Sequence, residues 1–95
     1  MAKLSKADVE QKIKTVSGWS LQGDAITKQY TFAGFPEAIA FVSRLAPEVQ
    51  ARDHHPDILV NYKRVTLTFS THSEGGLTEK DFEGAAVADA AEADV

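Results

Sequence analysis

All three histidines of this 95-residue chain fall in one stretch: His54 and His55 side by side, then His72 eighteen positions after His54. Carboxylates punctuate the same stretch at Asp53, Asp57 and Asp81, and Gln50 stands four residues ahead of His54. Imidazole is well suited to give or take a proton near neutrality, its unperturbed pKa being about 6.5. Acid–base catalysis is therefore one reading of the cluster. A metal site is a second, with Asp53 or Asp57 as added ligands and outer partners to orient the rings. Adjacent residues of an extended segment face opposite ways, however, so His54 and His55 would be awkward co-ligands. The third reading is a polar hairpin end whose imidazoles are only hydrogen-bonded. Thiolate chemistry is excluded, because the chain has no cysteine. Gly75-Gly76 precedes a helical pattern but fits neither GxGxxG nor a P-loop.

The elements that must position these groups read as a hairpin. Ile58, Val60 and Tyr62 alternate along one arm and Val65, Leu67 and Phe69 along the other, with Thr66, Thr68 and Ser70 on the opposite face. The polar run Asn61-Tyr62-Lys63-Arg64 is the expected turn. Facing residues of an antiparallel pair have a constant index sum, and a turn centred there brings His72 beside the His54-His55 pair. Pro56 biases His55 towards an extended backbone and opens the strand without needing an amide donor. Thr78 and Asp81 form a cap-and-N3 pair at the start of a helix, with Leu77 and Phe82 as its hydrophobic staple.

His54-His55-Pro56, the aromatic Tyr62, His72, and Gly76-Leu77-Thr78 leading to Asp81 resemble the motif of the pterin-4a-carbinolamine dehydratases. In vertebrates that family doubles as a dimerisation cofactor of a homeodomain transcription factor. The order of elements is compatible with the family over nearly all of the chain. The resemblance implies that His54, His55 and His72 line a pterin site and that Asp81 orients a histidine as well as capping its helix. It also implies a four-stranded sheet paired through an edge strand with a second subunit. Gln50 departs from the family pattern, which usually has an acidic residue there. A neutral amide still hydrogen-bonds but brings no charge to a neighbouring ring.

The remaining chain supplies the rest of an α+β domain spanning residues 1–95. Ser5 to Asp8 reads as a capping box with Leu4 and Val9 as staple, and Val9, Ile13 and Val16 form a stripe on a helix that stops at Gly18. Trp19 and Leu21 begin a short strand, Gln22 to Ala25 turn, and Ile26 to Phe32 is a second strand with Ile26, Tyr30 and Phe32 on one face. A second helix opens at Gly34-Phe35-Pro36-Glu37 and buries Ala38, Phe41, Val42, Leu45 and Val49. Pro47 predicts a kink or break in it. Trp19 and Phe35 are expected in the core. The last helix is alanine-rich; Gly84 costs it about 1 kcal/mol against alanine, its acidic end suits a solvated face, and its last residues are expected to fray. The predicted order is helix-strand-strand-helix-strand-strand-helix, giving a four-stranded antiparallel sheet covered on one face by helices.

Composition narrows the function classes. A net charge of −4 with no basic block argues against a nucleic-acid partner. No run reaches transmembrane length and the amino end has no apolar signal region, so a soluble cytoplasmic protein is expected, without membrane contact. The resemblance implies dehydration of a 4a-hydroxytetrahydropterin to quinonoid dihydropterin, serving the cycle of an aromatic amino acid hydroxylase. His54, His55 and His72 would be catalytic, and Asp81, Gln50 and Pro56 would bind or orient. His55 is the preferred base and His54 or His72 the acid. The chemistry calls for neither metal nor cofactor. So small a chain would gain from association, and a homodimer or dimer of dimers is expected. The alternative is a dehydratase-like scaffold that binds or dimerises a protein partner with little or no activity.

Overall fold

Side-chain alternation on one strand organises the domain. On β4 (Arg64–Phe69), Val65, Leu67 and Phe69 are fully buried while Arg64, Thr66 and Thr68 look away from the core. The computed structural model, which describes residues 2–95, pairs β4 on one side with β2 (Ala25–Thr31) and on the other with β3 (Asp57–Asn61). With β1 (Ser20–Gln22) beside β2, the antiparallel sheet runs β1-β2-β4-β3. Helices α1 (Lys6–Lys12), α2 (Phe35–Ala51) and α3 (Glu79–Ala93) complete the predicted order, with α2 and α3 packed against β4. The α+β fold read from the sequence is the one observed. Thr27, Gln29, Thr66 and Thr68 point to the sheet's other face.

Local signals account for most boundaries. Ser5 caps α1 by accepting from the Asp8 amide at 3.1 Å. That helix is shorter than expected: it ends at Lys12 and continues as a 3₁₀ turn over Ile13–Thr15 before Gly18 adopts φ +84°. The β3–β4 turn is the expected one over Asn61 to Arg64: Asn61 pairs with Arg64, and Tyr62 and Lys63 are its two central residues. Tyr62 takes the positive φ that such a turn demands and is exposed, not a strand residue.

Packing changes the reading at several places. Helix α2 runs without a break through Pro47 to Ala51. Pro47 and Ser43 both face solvent, so water can satisfy the carbonyl that loses its amide partner. Phe35 is 49% exposed at the start of α2 instead of lying in the core, whereas Trp19 is buried as expected. Helix α3 persists to Ala93, and its acidic end is not simply a solvated face. Asp89 accepts from the indole of Trp19, from Lys28 Nζ at 2.9 Å and from the Tyr30 hydroxyl at 2.5 Å. Burial, followed by this bond to Asp89 and its charge, raises the Tyr30 pKa far above its ordinary value. These bonds tie the second half of α3 to β2. Finally, Gly84 is a packing requirement: a Cβ there would stand 2.5 Å from Phe69 Cε1.

Helix propensity favours alanine over glycine by about 1 kcal/mol, but overpacking costs about 1–3 kcal/mol. Gly84→Ala is therefore expected to lower the denaturation midpoint. An unchanged or higher midpoint would show that α3 does not approach β4 this closely.

Candidate active site

The end of α2 sets the direction of the two adjacent histidines. Asp53 turns into the left-handed region at φ 50°, its amide reaching the Gln50 carbonyl at 3.1 Å and that of His54 reaching Val49 at 3.2 Å. This is the paired-bond helix ending in which a residue of positive φ reverses the chain. Aspartate tolerates that conformation better than most side chains. The chain then extends into β3, and extension sends consecutive side chains to opposite faces. His54 and His55 accordingly part company.

His54 turns to the helix side. Its ring lies nearly parallel to Phe69, with centroids 5.9 Å apart, and its Nε2 meets Asp81 Oδ1 at 2.5 Å. Asp81 is fully buried, and its other oxygen accepts from the Thr71 hydroxyl at 2.8 Å and the Thr78 amide at 2.9 Å. A buried carboxylate that accepts at both oxygens requires a donor at His54 Nε2, which fixes the proton on that nitrogen. The capping box expected of Thr78 and Asp81 is thus present, and the same carboxylate also holds a histidine.

His55 turns to the opposite side and lies exposed. Its Nε2 stands 2.8 Å from the Gln50 amide oxygen, so Nε2–H donates and Nδ1 keeps a free lone pair. His55 and His72 line one cavity of about 370 Å³, together with Asp24, Asp57, Thr68 and Ser70. Among the described residues, no lysine or arginine lines it. His54 instead lines a separate hollow of about 140 Å³ with Arg52, Lys80 and Glu83. Pro56 is buried between His55 and the start of β3, where its sequence position had suggested a strand opener.

The hairpin register does not by itself deliver His72. The observed pairing, extended past Asp57 and Thr68, sets His54 opposite Thr71 and not His72. His72 reaches the cavity because the chain bends after Phe69, forms a bridge between Thr71 and Gly76, and winds through a 3₁₀ turn over His72–Glu74. Gly75 closes that turn at φ +77°. Among the described residues, no group of three or more His, Cys, Asp and Glu is arranged to hold a metal ion, and no helix is long and apolar enough to cross a membrane. The sequence reading missed Asp24 and Ser70 as cavity residues. Ser70 bonds the Asp24 carbonyl at 2.7 Å across the β1–β2 turn, a contact between distant segments that no local pattern marks.

The site thus joins two imidazoles lining one cavity and a third tied to a buried carboxylate, on a four-stranded antiparallel sheet. The chain belongs to the pterin 4 alpha carbinolamine dehydratase family, whose model matches residues 2–91. A relative from Roseiflexus castenholzii, provisionally named a pterin-4-alpha-carbinolamine dehydratase, is 46% identical over 88 residues, covering 93% of this chain and 95% of its own. A transcriptional coactivator/pterin dehydratase from Brucella melitensis superposes with a TM-score of 0.90 at 33% identity, covering 95% of this chain and 98% of that one. A pterin dehydratase-like RuBisCO assembly factor of the alpha-carboxysome gives a TM-score of 0.69 at 26% identity, over 79% of this chain and 89% of its own.

Asp81→Asn tests the carboxylate. An amide that still accepts from Thr71 and Thr78 must turn its NH₂ towards His54, forcing that ring to accept at Nε2. The expected loss is about 1–3 kcal/mol of stability, the cost of disturbing a buried bonded group. The ¹⁵N spectrum of His54 should also change tautomer. Retention of the Nε2–H tautomer would contradict the assigned role.

Proposed function

We propose that the protein dehydrates a 4a-hydroxytetrahydropterin, with His55 as base and His72 as acid. The observation that carries this reading is that these two imidazoles, on different segments, line one cavity, and that His55 Nε2 is already occupied by Gln50. His55 Nδ1 takes the proton from N5 as the N5=C4a bond forms. His72 gives a proton to the 4a-hydroxyl as the C4a–O bond breaks, and water leaves. The product is a quinonoid dihydropterin. The N5 lone pair drives departure, so proton transfer is the whole of the chemistry asked of the protein. Each imidazole is worth about 10²–10⁴ in rate. Asp57 and Asp24 offer acceptors to the amino and amide N–H groups of the pterin ring. His54, held by Asp81, supports the site from the helix side. Tetrahydropterin recycling for an aromatic amino acid hydroxylase is the process such a reaction serves.

The alternative reading is a scaffold that assembles a protein partner, and the likeness to the RuBisCO assembly factor favours keeping it. Assay of 4a-carbinolamine dehydration by purified protein, with and without excess chelator, separates the two. Turnover that survives chelation and falls about 10²–10⁴-fold in His55→Ala and His72→Ala is the expected outcome. No turnover by the wild type would favour the scaffold, and restoration by zinc after chelation would favour a metal site.

A symmetric homodimer belongs to this proposal. Strand β3 is a sheet edge with unpaired backbone groups, and Leu59 on it is 63% exposed. Ile58 on the same strand is exposed as well. A second copy pairing β3 with β3 would continue the sheet and cover that surface. Sedimentation at micromolar concentration should give a dimer or larger; a stable monomer would overturn this part.

A further inference from the structure

The hydroxyl of Thr71 has no part in the chemistry above, yet it joins the two sides of the site. Thr71 stands between Ser70 and His72, both of which line the cavity, while its own side chain is buried on the helix side. Its Oγ1 is 2.8 Å from Asp81 Oδ2 and 2.9 Å from Thr78 Oγ1. The directions of these bonds follow from proton counting. A carboxylate only accepts, so Thr71 donates to Asp81; Thr71 has then spent its one proton, so Thr78 must donate to Thr71. Thr78 Oγ1 in turn accepts from the Lys80 amide at 3.3 Å.

The base of the loop that presents His72 is also held by Ser70, whose hydroxyl donates to the Asp24 carbonyl at 2.7 Å, and by the Glu74 amide, which donates to the Thr71 carbonyl at 3.0 Å. The bridge between Thr71 and Gly76 consists of two backbone bonds of 3.3 Å each, beyond the usual range for N–H···O. The ring of His72 is exposed, and no hydrogen bond ties it to another of the described residues. We propose that Thr71 is the positioning residue for His72: its hydroxyl, donated to buried Asp81, fixes where the loop sets that imidazole in the cavity. Asp81 thereby governs both sides, holding His54 directly and His72 through Thr71. The catalytic consequence rests on the dehydratase reading; the structural one does not.

The test uses the full chain with Thr71→Val, which keeps the shape and removes the hydroxyl, and Thr71→Ser, which keeps the hydroxyl. Thr71→Val should lower kcat about tenfold or more, since a catalytic group displaced by an ångström costs up to about 10². KM should change far less, because the groups that bind the ring stay in place. The imidazole resonances of His72 should shift or broaden in ¹H–¹⁵N spectra, and Thr71→Ser should recover most of both kcat and spectrum. A third variant, Thr78→Ala, leaves Thr71 its bond to Asp81, so the His72 resonances should stay near their wild-type positions. Wild-type kcat and His72 spectrum in Thr71→Val would overturn the proposal. So would a folded Thr71→Ser with His72 displaced, or a Thr78→Ala that displaces His72; these two arms decide even if Thr71→Val does not fold. A wild-type protein without turnover would sink the dehydratase reading alone, and the spectra would still judge the role of Thr71.

Discussion

The carboxylate of Asp81 is the constraint on which the site depends. It is fully buried, and an ionised group without water must be met by donors on every side. It meets three: the Thr78 amide at the start of α3, the Thr71 hydroxyl just beyond β4, and His54 at the exit from α2. Each donor comes from a different segment. Bringing one carboxylate to one point therefore fixes the relative placement of two helices and the end of the hairpin. Every buried side-chain polar atom among the described residues has a partner, so this burial leaves no unpaired group to weaken it.

A second anchor works on the same helix from the other end. Asp89 gathers Trp19, Lys28 and Tyr30, while Gly84 between the two aspartates lets α3 lie against Phe69. The two carboxylates and one glycine pin α3 along its length to β4 and β2. An alanine-rich helix with few large side chains would otherwise bury little apolar area. Its small face is what allows close approach, and close approach is what brings Asp81 within reach of His54.

Much of this was legible in the residues. The period-2 alternation of Val65, Leu67 and Phe69, the caps at Ser5 and Thr78, and the turn between Asn61 and Arg64 are local patterns, and all three appear where the sequence puts them. Three features were not legible, for a shared reason. The persistence of α2 through Pro47 depends on solvent access to one carbonyl, the value of Gly84 on a ring from another strand, and the role of Asp89 on three donors distant in sequence. Each is decided by what lies across a packed interface. Local propensity does not contain that information. The histidine cluster fell between the two cases: His55 and His72 line one cavity while His54 lines another, the register is one residue away from setting His72 opposite His54, and an irregular turn brings His72 to the cavity.

The division of the histidines gives Gln50 a physical meaning. An acidic residue bonded to His55 would favour the charged imidazolium, and a charged ring has no lone pair with which to take a proton. The amide oxygen of Gln50 accepts from Nε2–H and fixes the ring's tautomer without a full negative charge. On the other side of the chain, His54 has a full carboxylate as its partner, in a buried site away from the cavity. Alternation along a single extended segment thus gives two adjacent imidazoles different acceptors, one neutral and one a carboxylate. In the proposed reaction that is a useful separation. The ring that must accept a proton faces the cavity beside a neutral amide, and the buried charge is spent where it holds structure.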